Sequence, residues 1–149
     1  MPQTHSPLDR EAVTSRLIEA SRERVFRAFS DPAHLAHWWG PNGFTNTFQA
    51  FDFRSGGEWR LTMHGPDGAN YPNESVFAEV VPLERVVVSH VSAPRFTLTI
   101  TFTERAGQTE VGWRQCFESA EVFQRVAAIV IPANEQNLDR LAARVAAMT

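Results

Sequence analysis

The chain is 149 residues long and 43% hydrophobic, the size of one domain and enough to withdraw roughly 68–70% of its unfolded surface from water without a disulfide or metal. A formal net charge of −3 supplies no basic field for nucleic acid or an anionic membrane surface, so neither is an expected partner. All 14 basic residues are arginine, which excludes Schiff-base catalysis, pyridoxal phosphate attachment and the lysine-bearing phosphate loop, and the lone Cys116 excludes an internal disulfide.

The opening MPQTHSPLDR has two prolines, no apolar leader run and no periodicity, so residues 1–9 read as a loose lead-in to a domain over 10–149. With no stretch of 18 apolar residues, a soluble cytoplasmic domain is expected. Val13, Thr14 and Ile18 suggest a first strand between Glu11 and Glu19. Ser21 is the N-cap expected of a helix that turns Val25, Phe26 and Phe29 to one side. Asp31-Pro32 starts a second short helix, because proline's missing N–H is no loss at the first helical position. Leu35, Trp38 and Trp39 share its inner side, although two adjacent tryptophans cannot be equally buried, so one is expected to face the mouth of any cavity. Gly40-Pro41-Asn42-Gly43 ends it.

The period then changes. Turn signals recur at 54–57, 65–68, 82–85, 92–94 and 106–107, and alternating runs lie between them. Trp59, Leu61 and Met63 fall on one face; so do Phe96, Leu98, Ile100 and Phe102, and then Val111, Trp113 and Phe117, with Gln115 on the same apolar side. Alternation with short turns predicts antiparallel strands with one covered face, six here and seven in all. The last thirty residues return to helical spacing through Val122, Val126, Val130, Leu138, Leu141 and Val145, with a kink expected at Pro132. The fold class is therefore α+β: a curved seven-stranded antiparallel sheet wrapped around a long C-terminal helix, with two short helices between strands 1 and 2.

Several constellations carry chemistry. The aromatic residues Trp38, Trp39, Phe44, Phe48, Trp59, Phe77 and Trp113 either line an apolar pocket or fill the core. His64 and His90 lie on predicted strands, His90 in alternation with Val86 and Val88, and each is a candidate acid or base or a structural histidine. His34 and His37 are three apart on a helix, but no third ligand accompanies them, so no metal site is expected. Asn134 places an amide on the apolar stripe of the last helix, either to anchor a ligand or to repair the backbone freed by Pro132. Gln115 is a second buried amide. Arg95 and Arg114 are expected to meet solvent or surface carboxylates, and Cys116 to be an inert thiol. No nucleophile–base spacing, metalloprotease motif or dinucleotide fingerprint is present, and no cofactor is expected.

The segment SRERVFRAFSDPAHLAHWWGPNGFTNTF, the run FDFRSGGEWRLTMHGPDG, the P-x-E-R turn at 82–85 and the closing NEQNLDRLAARV occur in an order that resembles the SRPBCC/START-like superfamily. Within it, the match is to Aha1-type homologues, proteins related to the C-terminal domain of the activator of the heat-shock chaperone ATPase. The resemblance covers about residues 10–147. It implies a helix-grip fold with a cavity between sheet and long helix, which across the superfamily holds lipids, sterols, polyketides and other hydrophobic molecules. A binding protein for a hydrophobic or amphipathic small molecule, lipid- or polyketide-like, is the leading expectation. Its site residues would be Trp38, Trp39, Phe48, Trp59, Met63, His90, Trp113, Gln115, Val130, Asn134 and Leu138. The alternatives are a cyclase, dehydratase or hydrolase using a cavity histidine, and a chaperone-docking module presenting WWGPNG. Either a monomer or a homodimer is compatible with these expectations.

Overall fold

The computed structural model describes residues 9–148. Apart from Asp9, the lead-in expected over residues 1–9 lies outside the described residues. The elements follow the order β1 (Glu11–Ile18), α1 (Arg22–Ser30), α2 (Pro32–Trp38), β2 (Thr45–Phe51), β3 (Glu58–His64), β4 (Asn70–Val81), β5 (Arg85–His90), β6 (Phe96–Arg105), β7 (Gln108–Phe117) and α3 (Ala120–Ala147). All seven strands form one antiparallel sheet in the order β1-β7-β6-β5-β4-β3-β2. This is the expected helix-grip fold.

The alternating residues fall where a period of two requires. Val86 and Val88 on β5, Leu98, Ile100 and Phe102 on β6, and Val111 and Trp113 on β7 are all buried on the concave face. Register places them in rows: Val88 pairs Leu98, which pairs Gln115, while Ser75 pairs His90, which pairs Phe96. Register shifts between Phe48 and Ala50 and between Phe77 and Glu79 mark bulges, which bend and further twist a strand.

The helix starts follow from their caps. Ser21 Oγ accepts from the Arg24 N–H, the Asp31 carboxylate from the Ala33 N–H and Ser119 Oγ from the Val122 N–H, each pairing a donor that the first turn leaves free. Helix α3 runs through Pro132 as one continuous 28-residue element, about 42 Å long at 1.5 Å per residue. Proline still withholds one N–H from the ladder. It also separates two environments. Every fully buried residue of α3 (Asn134, Asn137, Leu138, Leu141 and Val145) follows Pro132, and the half before it is only partly covered. The C-terminal half thus packs into the core, while the first half meets the sheet at its start, where Phe123 stacks on Phe117, and a cavity opens between sheet and helix.

Candidate functional site

The cavity has a volume of about 640 Å³, within the range that suits small organic ligands. Its sheet wall is built from Trp59, Leu61, Met63, Val88, Leu98 and Trp113, and its helix wall from Ile129, Val130, Ala133, Asn134 and Asn137. The α2–β2 loop closes one end with Trp39, Gly40, Pro41 and Phe44. At the rim Phe44 lies against Tyr71, ring centroids 5.9 Å apart. A second depression, about 560 Å³, lies between β1 and the end of α3, but its Arg24 already donates to the carbonyls of Val145 and Met148. With its one cation taken up inside the fold, that depression offers less to a ligand than the apolar cavity.

Eight of the eleven residues expected to bind a ligand line this cavity: Trp39, Trp59, Met63, His90, Trp113, Gln115, Val130 and Asn134. Trp38, Phe48 and Leu138 do not. Trp38 is 1% exposed, and its indole N–H donates to the Ala28 carbonyl (2.9 Å), which pins it between α1 and α2. Trp39 is therefore the tryptophan that turns to the cavity, edge-on to Trp59 (4.9 Å) and tilted against Trp113 (5.8 Å). Phe48 stacks on Phe51 behind Trp59, and Leu138 is sealed in the core beside Leu141. The indole N–H groups of Trp59 and Trp113 are buried without a partner among the described residues.

The two buried amides find each other. Asn134 Nδ2 donates to Gln115 Oε1 (3.0 Å), joining α3 to β7 across the cavity floor. Asn134 consequently does not repair the backbone at Pro132. Asn137, one turn further on, donates from Nδ2 to the Trp38 carbonyl (3.0 Å).

His90 forms the polar corner. Its ring stacks on Phe96 (4.4 Å, 7° between planes), and burial pushes its pKa below the ordinary histidine value, against the opposing effect of the backbone bonds at Pro94 and Ser92. In the neutral ring Nδ1–H donates to the Pro94 carbonyl (2.9 Å). Nε2 lies 3.3 Å from the Ser92 hydroxyl and 2.5 Å from Asn73 Oδ1, while Asn73 Nδ2 donates to the Tyr71 carbonyl. Both ring nitrogens are thus engaged by protein atoms. His64 lies outside the cavity wall, bonded to Thr47 and Asn70. His34 Nδ1 accepts from Arg144 Nε (3.1 Å), and no cluster of metal-ligating side chains occurs among the described residues. Arg114 pairs with Glu11 (2.7 Å) as a surface-facing arginine should, while burial and the neighbouring Glu11 charge push the Cys116 thiol pKa up.

Arg140 was invisible to pattern reading. Its Nη1 donates to the carbonyls of Trp39 (3.2 Å), Gly40 (2.8 Å) and Pro41 (2.7 Å), and its Nη2 to those of His37 and Phe44 (both 2.9 Å). Gln136 Oε1 accepts from the Asn42 N–H (3.1 Å), and Asn46 Nδ2 donates to the Ala36 and Trp39 carbonyls. One face of α3 therefore holds the whole WWGPNGF loop, whose inner residues wall the cavity. The only sequence signal was the concentration of polar side chains in NEQNLDR, where a core-packed helix should be apolar.

Known structures share this architecture. A crystal structure from Nitrosomonas europaea superposes with a TM-score of 0.85 at 17% identity, covering 99% of both chains. A Mycobacterium smegmatis protein gives 0.83 at 25% identity, over 99% of this chain and 98% of that one. An AHSA1-like protein from Aeromonas hydrophila gives 0.72 at 22% identity, over 91% and 93%. No curated protein matches the sequence. The family model described as activator of Hsp90 ATPase homolog 1-like protein matches residues 19–146. With the helix-grip sheet, the long C-terminal helix and this match in agreement, the chain belongs to the activator of Hsp90 ATPase homolog 1-like family of the SRPBCC superfamily.

Proposed function

We propose that this protein is a small-molecule binding protein that holds a hydrophobic or amphipathic ligand, lipid- or polyketide-like, between the sheet and α3. The observation that carries the reading is the cavity of about 640 Å³, whose walls are mainly apolar and aromatic with a few convergent polar side chains. Apolar burial of roughly 25 cal/mol per Å² supplies most of the affinity, and the polar groups orient the ligand. A cytoplasmic setting accords with it, since a free thiol such as Cys116 persists there. No helix among the described residues is long and apolar enough to cross a membrane.

The enzyme reading has less support. His90 does line the cavity, yet both its nitrogens are occupied and no carboxylate faces it to drive a proton transfer. Chaperone docking through WWGPNG called for exposed tryptophans, but Trp38 is buried and Trp39 turns into the cavity. Incubating the purified protein with a lipid and polyketide extract, then recording native mass spectra, tests the proposal. A retained ligand mass with a change in tryptophan emission is expected. A bare protein mass with unaltered emission across extracts would defeat it.

A further inference from the structure

Among the described residues the cavity walls contain no arginine, aspartate or glutamate, and the titratable side chains there are Tyr71 and His90. That is unusual for a wall with this much hydrogen-bonding capacity, and it constrains what can enter. An unpaired carboxylate, sulfonate or phosphate taken into such a space loses its hydration and meets no counter-charge, a penalty of several kcal/mol that apolar contact has to overcome.

The second constraint comes from the amide pair. Gln115 and Asn134 are 8% and 9% exposed, and each spends one end of its amide on the other. Asn134 Oδ1 and Gln115 Nε2 have no partner among the described residues, and unlike the two indole nitrogens they are not sealed from solvent. Rotating both amides exchanges the roles of the two residues but still leaves one free acceptor and one free donor. The pair therefore offers one acceptor and one donor whichever way the amides are turned. A ligand that carries both a donor and an acceptor, such as a lactam, a secondary amide or a hydroxyketone, complements them. Trp39, Trp59 and Trp113 meet in the adjoining wall and supply flat apolar contact.

We infer that the site selects an uncharged cyclic ligand carrying both a hydrogen-bond donor and an acceptor, seated on Gln115 and Asn134, and excludes anionic amphiphiles such as fatty-acid carboxylates. The inference rests on the binding function proposed above and narrows its ligand class.

Two matched pairs test it on the wild-type protein. N-phenyl-1-naphthylamine and 8-anilinonaphthalene-1-sulfonate share a skeleton and differ by the sulfonate; fluorescence titration should show the neutral compound binding about tenfold or more tightly. N-methyl-2-quinolone carries a methyl group in place of the donor hydrogen of 2-quinolone, and 2-quinolone should displace N-phenyl-1-naphthylamine at about one tenth of the concentration or less. In Asn134→Leu, which removes the free acceptor, that second ratio should fall toward one while N-phenyl-1-naphthylamine still binds, and the wild-type ratios stand by themselves should this variant not fold. Equal or tighter binding of the sulfonate overturns the exclusion of anions and leaves the binding function intact. Equal displacement by the two quinolones overturns the donor–acceptor assignment. Failure of every compound to bind removes the binding function itself, and this inference with it.

Discussion

Replacing Arg140 with lysine keeps the charge and removes the geometry. The two terminal guanidinium nitrogens carry four N–H groups for five carbonyls spread from His37 to Phe44, so at least one N–H is shared. An ammonium has three N–H groups on a single atom, so at least two of the five bonds are lost. At the lower end of the range for hydrogen bonds to charged groups, about 1.5 kcal/mol each because the loop is partly solvated, Arg140→Lys should lose about 3 kcal/mol. Against a typical domain stability of about 5–15 kcal/mol the variant remains folded, which lets binding be measured on the same sample. Urea denaturation should show a lower midpoint with an unchanged slope. N-phenyl-1-naphthylamine affinity should also fall, because Trp39, Gly40, Pro41 and Phe44 wall the cavity. A variant within about 0.5 kcal/mol of wild type with undiminished affinity would refute the reasoning and show that Asn46 and Gln136 suffice to hold the loop.

Three further outcomes follow from the same geometry. Gln115→Leu or Asn134→Leu alone strands a buried amide and should destabilise by about 1–3 kcal/mol, whereas the double variant should recover much of that loss; a denaturation double-mutant cycle with no coupling would contradict the pairing. At Gly57 an added Cβ would lie 1.9 Å from the Asp52 carbonyl oxygen, so Gly57→Ala should lose more than about 2 kcal/mol. Gly56, with φ +87° and open space around it, should lose only about 1 kcal/mol as alanine, and thermal melts of the two variants separate steric clash from backbone strain. Because burial lowers the His90 pKa in the folded state, the unfolded chain takes up this proton first as pH falls. Its contribution is complete above the unfolded histidine value and is lost as pH drops below it, toward the folded value. Urea midpoints measured between pH 8 and 5 should therefore fall less steeply for His90→Gln than for wild type; identical slopes would remove His90 from the account.

Most of the architecture was readable because it rests on local physics. Alternation along Phe96–Phe102 can only be a half-buried strand, and Ser21 and Asp31-Pro32 are start signals whose bonds form within one turn. Parity likewise placed Gln115 and His90 on the inner face. What escaped was anything set by distance in the chain. That Asn134 would meet Gln115, 19 residues away across a helix–sheet gap, depends on how α3 settles and not on either residue's neighbours. Arg140 acts on backbone carbonyls about a hundred residues earlier, and a carbonyl acceptor leaves no mark in a sequence because every residue has one. Trp38 and Leu138 have the right chemistry for a lining but stand one layer too deep, while the half-buried Phe48 packs on Phe51 behind Trp59, and neither placement was encoded in the hydrophobic pattern.

The Arg140 clamp also decides which surroundings the cavity entrance can respond to. A guanidinium stays protonated across the range in which proteins survive even where burial lowers its pKa, and amide carbonyls neither titrate nor oxidise. Unlike an arginine held by a carboxylate, this one has no partner among the described residues that acid can neutralise. The entrance loop is thus fastened by a junction indifferent to acidity and to redox state. Any dependence of ligand uptake on pH would have to arise elsewhere in the lining, at Tyr71 or at His90, whose ring stacks on Phe96.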